Sequence, residues 1–243
     1  MSTSSDCCKL PPVEVKYTPK GDYTQLAGLK TYTTGPEDSK KVILFVYDIF
    51  GFSPQILQGA DLLASQGYRV VLPDFLVGSY ATPDMFSGTE EGNKKREAYF
   101  SGFPGAISSQ SDAVGKLIDE LKNDGVKLGS IGACWGYKVL VTAKDVAKLD
   151  AIAGIHPSFI AAEDAEKINV PLALLPSGGE DHAIIDKIHE GVEKKNPGKN
   201  IVKSFPDSPH GWMAARGDLE SEEGKKNFAD GYQTLADFFK GTL

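Results

Sequence analysis

Leu128-Gly129-Ser130-Ile131-Gly132-Ala133-Cys134-Trp135-Gly136-Tyr137 is the stretch that decides how this 243-residue chain folds. A short apolar run leads into Gly132-Ala133-Cys134-Trp135-Gly136, and Tyr137 to Val146 then carries helix formers in an amphipathic pattern. The pattern reads as a strand that turns sharply into a helix, with Cys134 at the apex and a glycine two residues to either side. Such a turn pushes its apical residue toward φ > 0, and side chains at the flanking positions would collide with the adjoining strand and helix. It also leaves the Cys134 thiol at the carboxyl end of the strand, beside the N–H groups of a helix N-terminus. A buried, inert cysteine in a Gly-rich turn would show the same five residues, because free cysteine is often a core residue. The rest of the chain separates the two readings.

On the amino-terminal side, Lys41 to Tyr47 is a nearly continuous β-branched and aromatic run, which predicts a parallel strand covered on both faces. Ser53 as N-cap and Pro54 at the first helical position predict a helix over Pro54 to Ser65. Gly67 ends that helix, and Tyr68 to Leu72 is the next strand, closed by Pro73-Asp74. Strand, helix and strand at this spacing form a right-handed βαβ unit. Val13 to Thr33 reads as two edge strands about a turn at Pro19-Lys20-Gly21-Asp22. Ser109 to Lys122 is an amphipathic helix, with Ala113, Leu117, Ile118 and Leu121 on one face.

Beyond the turn at Cys134, strands are predicted over Leu149 to Ile155, Asn169 to Leu175 and Asn200 to Phe205. Helices follow over Ile184 to Lys195 and Glu220 to Lys240, the second with Phe228, Tyr232, Leu235 and Phe238 as its buried stripe. The alternation defines one α/β domain over residues 1–243. Its sheet is mainly parallel, of roughly six to eight strands, with helices on both faces and sites beyond the carboxyl ends of the strands. Residues 75–105 depart from the pattern. They are rich in Gly, Pro, Ser and charge, carry scattered aromatics and a short helical segment near Thr89 to Tyr99, and read as a cap over a pocket.

The net charge of −7 opposes binding to phosphate backbones, so nucleic acid is not an expected partner. No apolar run approaches a membrane span, and Met1 to Asp6 lacks the basic and apolar regions of a signal peptide. Three cysteines, with Cys7 and Cys8 adjacent, make no disulfide framework; a reducing cytoplasmic setting fits best, with the pair in a loose terminus. Monomer and homodimer are both compatible with the sequence.

Three polar groups follow successive strands in the order nucleophile, acid, base: Cys134, Asp181 and His210. Glu180 and Asp207 are rivals for the acid, and His156, His182 and His189 for the base. His210 is preferred because it sits in a Pro-flanked loop after the final strand, ahead of Gly211. A cysteine at its ordinary pKa is mostly thiol at neutral pH. An imidazole in reach takes that proton, and a carboxylate on the far ring nitrogen fixes the tautomer. The oxyanion formed on attack needs two donors, for which the backbone N–H groups of Trp135 and Ile49 are the candidates. No metal-ligand cluster and no phosphate-cradling glycine motif is apparent, so no cofactor is expected.

With these residues in place the chain resembles the dienelactone hydrolase family of α/β-hydrolases. The matching pieces are Asp48-Ile49-Phe50-Gly51, Pro73-Asp74, Gly132-Ala133-Cys134-Trp135-Gly136, Gly178-Gly179-Glu180-Asp181-His182 and His210-Gly211-Trp212. Gly136-Tyr137-Lys138, His156-Pro157-Ser158-Phe159 and Ala214-Ala215-Arg216-Gly217-Asp218 look most like its fungal branch. The resemblance implies hydrolysis of a small lactone or ester by a Cys, Asp, His triad, mapping to Cys134, Asp181 and His210. It also implies an acid at Asp48 that modulates the nucleophile, and substrate contacts from Arg216 and Trp212. Bacterial members carry Glu where this chain has Asp48, and a second substrate arginine has no counterpart at Val77-Gly78-Ser79. A non-catalytic, ligand-binding member of the fold is the alternative function.

Overall fold

The computed structural model describes residues 12–243, so Cys7 and Cys8 lie outside the described residues. Eight strands form one sheet: β1 (Asp22–Leu26), β2 (Leu29–Thr34), β3 (Lys41–Val46), β4 (Arg69–Pro73), β5 (Lys127–Ala133), β6 (Ala151–Ile155), β7 (Leu172–Leu175) and β8 (Ile201–Val202). Their spatial order is β1-β2-β4-β3-β5-β6-β7-β8, antiparallel across β1–β2 and β2–β4 and parallel elsewhere. The helices are α1 (Pro54–Ala64), α2 (Glu90–Ser101), α3 (Ser111–Leu121), α4 (Trp135–Thr142), α5 (Asp164–Lys167), α6 (His182–Glu193) and α7 (Glu222–Thr242). Among the described residues no helix is long and apolar enough to cross a membrane.

The chain leaves β3 in one direction to make β4, then crosses back to β5 and continues outward to β8. Right-handed crossovers therefore set α1 on one face and α3, α4, α5 and α6 on the other. α7 returns to pack with α1. The direction of travel reverses at β3, which makes the carboxyl ends of β3 and β5 the switch point at which open α/β sheets place their sites. β3 and β5 are buried along almost their whole length, as expected of strands covered on both faces.

Two expectations shift. The first hairpin turns at Ala27-Gly28, with φ of 49° and 83°, rather than at Pro19 to Asp22. Two consecutive positive φ angles match the twist of a two-residue hairpin, and Leu26 pairs directly with Leu29 across it. The last strand is shorter than Asn200 to Phe205. Beyond Val202 the pairing with β7 thins to Lys203 N–H to Leu174 O (3.0 Å), Phe205 N–H to Pro176 O (2.8 Å) and an isolated bridge between Ser177 and Phe205.

Candidate active site

Cys134 sits at the apex of the β5–α4 turn with φ 52° and ψ −116°, a conformation that non-glycine residues rarely adopt. The flanking glycines are dictated by contact. A Cβ on Gly132 would lie 2.4 Å from Tyr137 Cα, and one on Gly136 would lie 2.2 Å from Val46 O. The second contact also presses the start of α4 against the end of β3 at Val46 and Tyr47, just ahead of the Asp48–Phe50 turn. Trp135 N–H is at the first helical position, where the helix offers no acceptor.

His210 reaches the site on a loop that crosses the turn after β7. Gly178 N–H donates to Ser208 O at 3.3 Å, and a Cβ on Gly178 would lie 2.2 Å from Pro206 O. The crossing sets His210 against Glu180: His210 Nδ1 lies 2.6 Å from Glu180 Oε1, and both side chains are fully buried. Ser177 secures that carboxylate, its Oγ–H donating to Oε1 at 2.9 Å and its N–H donating to Oε2.

The acid beside His210 is therefore Glu180 and not Asp181. Asp181 is exposed and serves as the N-cap of α6, its Oδ1 accepting from Ile184 N–H at 3.2 Å. An N-cap side chain faces its own helix, and this one is thereby turned from the site. Asp207 is exposed as well. Of the rival histidines, His182 pairs with Ser177 O at 3.0 Å, and His189 lies 3.9 Å from Glu193 along α6.

Asp48 is buried and its oxygens accept from Phe50 N–H (2.9 Å) and Ala215 N–H (3.3 Å), so it holds both the turn after β3 and the loop after His210. Burial raises its pKa above the usual carboxylate range, while those two N–H groups, Arg216 and His210 pull it back. Arg216 is buried too. Its Nη1 donates to His210 O at 3.4 Å, and its guanidinium carbon lies 5.2 Å from the centre of the Phe50 ring. Trp212 is placed otherwise than expected of a substrate contact. Its ring stacks on Phe205 at 4.2 Å and fills the space above Gly231 of α7, where a Cβ would lie 2.6 Å from the indole.

Three further groups stand at the site: Ser158 and Tyr99, for which the sequence indicates no role, and His156, a rival for the base there. Ser158, fully buried, lies 3.5 Å from Cys134 Sγ and 3.4 Å from His210 Nε2. Tyr99 of α2 has a buried hydroxyl with no protein partner among the described residues. Its pKa is raised first by burial and then by the nearby Asp48 and Cys134. The 75–105 segment that carries it is fastened by Ala81 N–H to Ile49 O (2.9 Å) and by Trp135 Nε1–H to Gly105 O (2.8 Å). α2 is mostly exposed and polar, so its residue pattern gives no sign that Tyr99 turns inward.

His156 is the third. It is fully buried, has φ 35°, and packs edge-on to His210 with ring centres 5.0 Å apart. Neither ring nitrogen has a protein partner among the described residues. Burial first, then His210 and Arg216, hold its pKa well below the ordinary imidazole value. A neutral His156 does not repel a proton arriving on His210. The linkage has a definite sign: the unfolded chain protonates this ring near 6.5 and the folded chain resists, so stability is full above that pH and falls as pH drops below it. His156→Asn, which tolerates positive φ, is expected to flatten urea-unfolding stability against pH below about 6.5, by up to about 1.4 kcal/mol per pH unit. Parallel curves for the two proteins would contradict this.

An open, mostly parallel sheet with a strained turn of this kind at the carboxyl end of a central strand is the α/β-hydrolase fold. The chain belongs to the dienelactone hydrolase family, whose model matches residues 29–243. An uncharacterised AIM2 family protein of Schizosaccharomyces pombe is 38% identical over 236 residues, covering 93% of each chain. A mouse carboxymethylenebutenolidase homolog is 24% identical over 82% of each chain. Among solved structures, a dienelactone hydrolase from Anabaena variabilis superposes with a TM-score of 0.63 at 18% identity, over 92% of this chain and 99% of that one.

Proposed function

We propose that the protein hydrolyses a small lactone or ester, with Cys134 as nucleophile, His210 as base and Glu180 as the acid that orients it. The observation that carries this reading is the Glu180–His210 pair. Glu180 Oε1 accepts the Nδ1 proton at 2.6 Å, which leaves Nε2 of the neutral ring as the proton acceptor, facing Ser158 Oγ at 3.4 Å. In the reaction the Cys134 proton passes to Nε2 and the sulfur attacks the carbonyl carbon. The charge that develops on the carbonyl oxygen is met by the N–H groups of Ile49 and Trp135. Collapse expels the alkoxide, which takes the proton from His210, and leaves an acyl thioester. Water, deprotonated by the same ring, then releases the acid and regenerates the thiol. Tyr99, with its buried hydroxyl, is the donor the cap offers to a substrate oxygen.

Turnover of an aryl-ester and enol-lactone panel, with a burst that reports the acyl-enzyme, tests the reading. Absence of turnover on every member, with ligand binding that survives Cys134→Ala, would favour a binding protein built on the same fold.

Arg216 is assigned to an anionic part of the substrate. The rival for an exposed arginine, a surface salt bridge to Asp218 or a glutamate of α7, fits poorly with a side chain this buried and directed at His210 and Phe50. Arg216→Gln should lower kcat/KM for an acidic substrate about 10- to 100-fold more than for its neutral methyl ester, the worth of one charge-assisted hydrogen bond. Equal losses for the two substrates would return Arg216 to a packing role.

A further inference from the structure

We propose that Ser158 is a proton relay between the nucleophile and the base, so that Cys134 ionises through its hydroxyl. The inference rests on the assignment of Cys134 and His210 above and adds a residue to it.

Three observations converge on this serine. Its Oγ is within hydrogen-bonding range of both reacting atoms, 3.5 Å from Cys134 Sγ and 3.4 Å from His210 Nε2. The second separation is long for a hydrogen bond, as catalytic contacts commonly are before substrate tightens them. The direction of donation is fixed by the rest of the site. Glu180 takes the Nδ1 proton, so Nε2 carries the lone pair and the Ser158 O–H points to it. The oxygen lone pair of Ser158 then faces the Cys134 S–H, which donates.

The loop that holds Ser158 is also tightly determined. Its N–H donates to Cys134 O at 3.1 Å, His156 N–H donates to Leu175 O at 2.9 Å, and both His156 and Phe159 take positive φ, 35° and 56°. Two unfavourable backbone conformations flanking one fully buried hydroxyl are tolerated where a side chain must be placed closely.

The step balances. The Cys134 S–H bond breaks as its proton bonds to Ser158 Oγ, and the original Ser158 proton moves to His210 Nε2. The hydroxyl is regenerated, and the products are a thiolate and an imidazolium braced by Glu180. In that state the imidazolium donates to Ser158 and Ser158 donates to sulfur, so the same residue stabilises the ion pair it creates. The other titratable and charged groups facing the thiol and its base are Asp48 after β3, Tyr99 of α2, His156 after β6, and Arg216. None of them changes in a Ser158 variant.

The test is alkylation of Cys134 by iodoacetamide across pH, followed by the mass of its peptide, in wild type, Ser158→Ala, Ser158→Thr and Ser158→Val. Thr keeps the hydroxyl, and Val has the shape of Thr without it, so any packing defect is common to that pair. Ala and Val are expected to react about 10- to 100-fold more slowly near neutral pH, with the midpoint displaced upward by about 1–2 pH units, as loss of a hydrogen bond to charge requires. Thr should stay within a few-fold of wild type. Superimposable profiles, or faster reaction in Ala and Val than in Thr, would overturn the relay. Alkylation needs no substrate, so a protein that turns over nothing on the ester panel can still pass this test. Conversely, turnover with flat alkylation profiles would remove the relay and leave the hydrolase standing.

Discussion

Cys134→Ala is expected to abolish turnover on any ester or lactone the protein accepts, and His210→Ala to lower it by roughly 10³- to 10⁶-fold, with both variants folded. Members of a cooperating set lose nearly the whole of its contribution when one is removed. The fold should survive because Cys134 contributes a small side chain at a turn fixed by Gly132 and Gly136. A second expected result is independent of substrate. Cys134 holds φ 52° and ψ −116°, and that strain belongs to any side chain at the apex. Ala keeps it and Gly releases it. Urea unfolding should therefore find Cys134→Gly more stable than Cys134→Ala by about 1 kcal/mol, even after allowing for the extra freedom glycine has when unfolded. Equal stabilities would mean the turn is not strained, and residual turnover in Cys134→Ala would place the nucleophile elsewhere.

What the sequence disclosed and what it withheld follow from the range of the interactions. The elbow, the β3 strand and α1 with its Ser53 cap are written in contiguous residues, because each is fixed by local backbone demands and by burial on two faces. The place of the first hairpin is not legible, because Ala27, with φ 49°, gives no sign in the sequence that it will accept a left-handed conformation. Gly28 alone carried the signal, and the Pro19-Lys20-Gly21-Asp22 cluster outweighed it. At the site, Trp212 lies two residues from His210 in sequence, yet a loop that reverses at Gly211 sends the two rings different ways, one to Glu180 and one to Phe205. Ser158 lies in a recognisable His156-Pro157-Ser158-Phe159 piece and Tyr99 in a polar helix, but neither shows its neighbours in sequence; those appear when the loop after β6 and α2 are set beside Cys134. The same holds for His156, whose lack of a nitrogen partner among the described residues is a property of the packed state.

The choice between adjacent acids shows this limit at its sharpest and gives the second large expected effect. Glu180 and Asp181 differ by one residue, and in the extended backbone ahead of α6, where Asp181 has φ −76° and ψ 96°, successive side chains point to opposite sides. Asp181 takes the N-cap position, where a short carboxylate reaches Ile184 N–H, and Glu180 is left facing inward with the extra methylene needed to meet His210. Glu180→Gln should lower kcat by about 10⁴-fold, the loss seen when a triad acid is made neutral. The amide cannot brace an imidazolium, and with Ser177 N–H and Oγ–H both donating to this position, one of its contacts becomes donor against donor. Turning the amide to satisfy Ser177 places NH2 against Nδ1 and drives the proton to Nε2, where it blocks the thiol. Asp181→Asn should leave kcat within a few-fold of wild type, since Asn caps a helix as well as Asp does, and Asp181→Ala should cost about 0.5–2 kcal/mol of stability with little effect on rate. Glu180→Asp, one methylene short, should fall between wild type and Glu180→Gln. Steady-state kinetics on the four variants, read beside their unfolding curves, decides the assignment. If Asp181→Asn proves as damaging to kcat as Glu180→Gln, the carboxylate that works in turnover is not the one that holds His210 at 2.6 Å here.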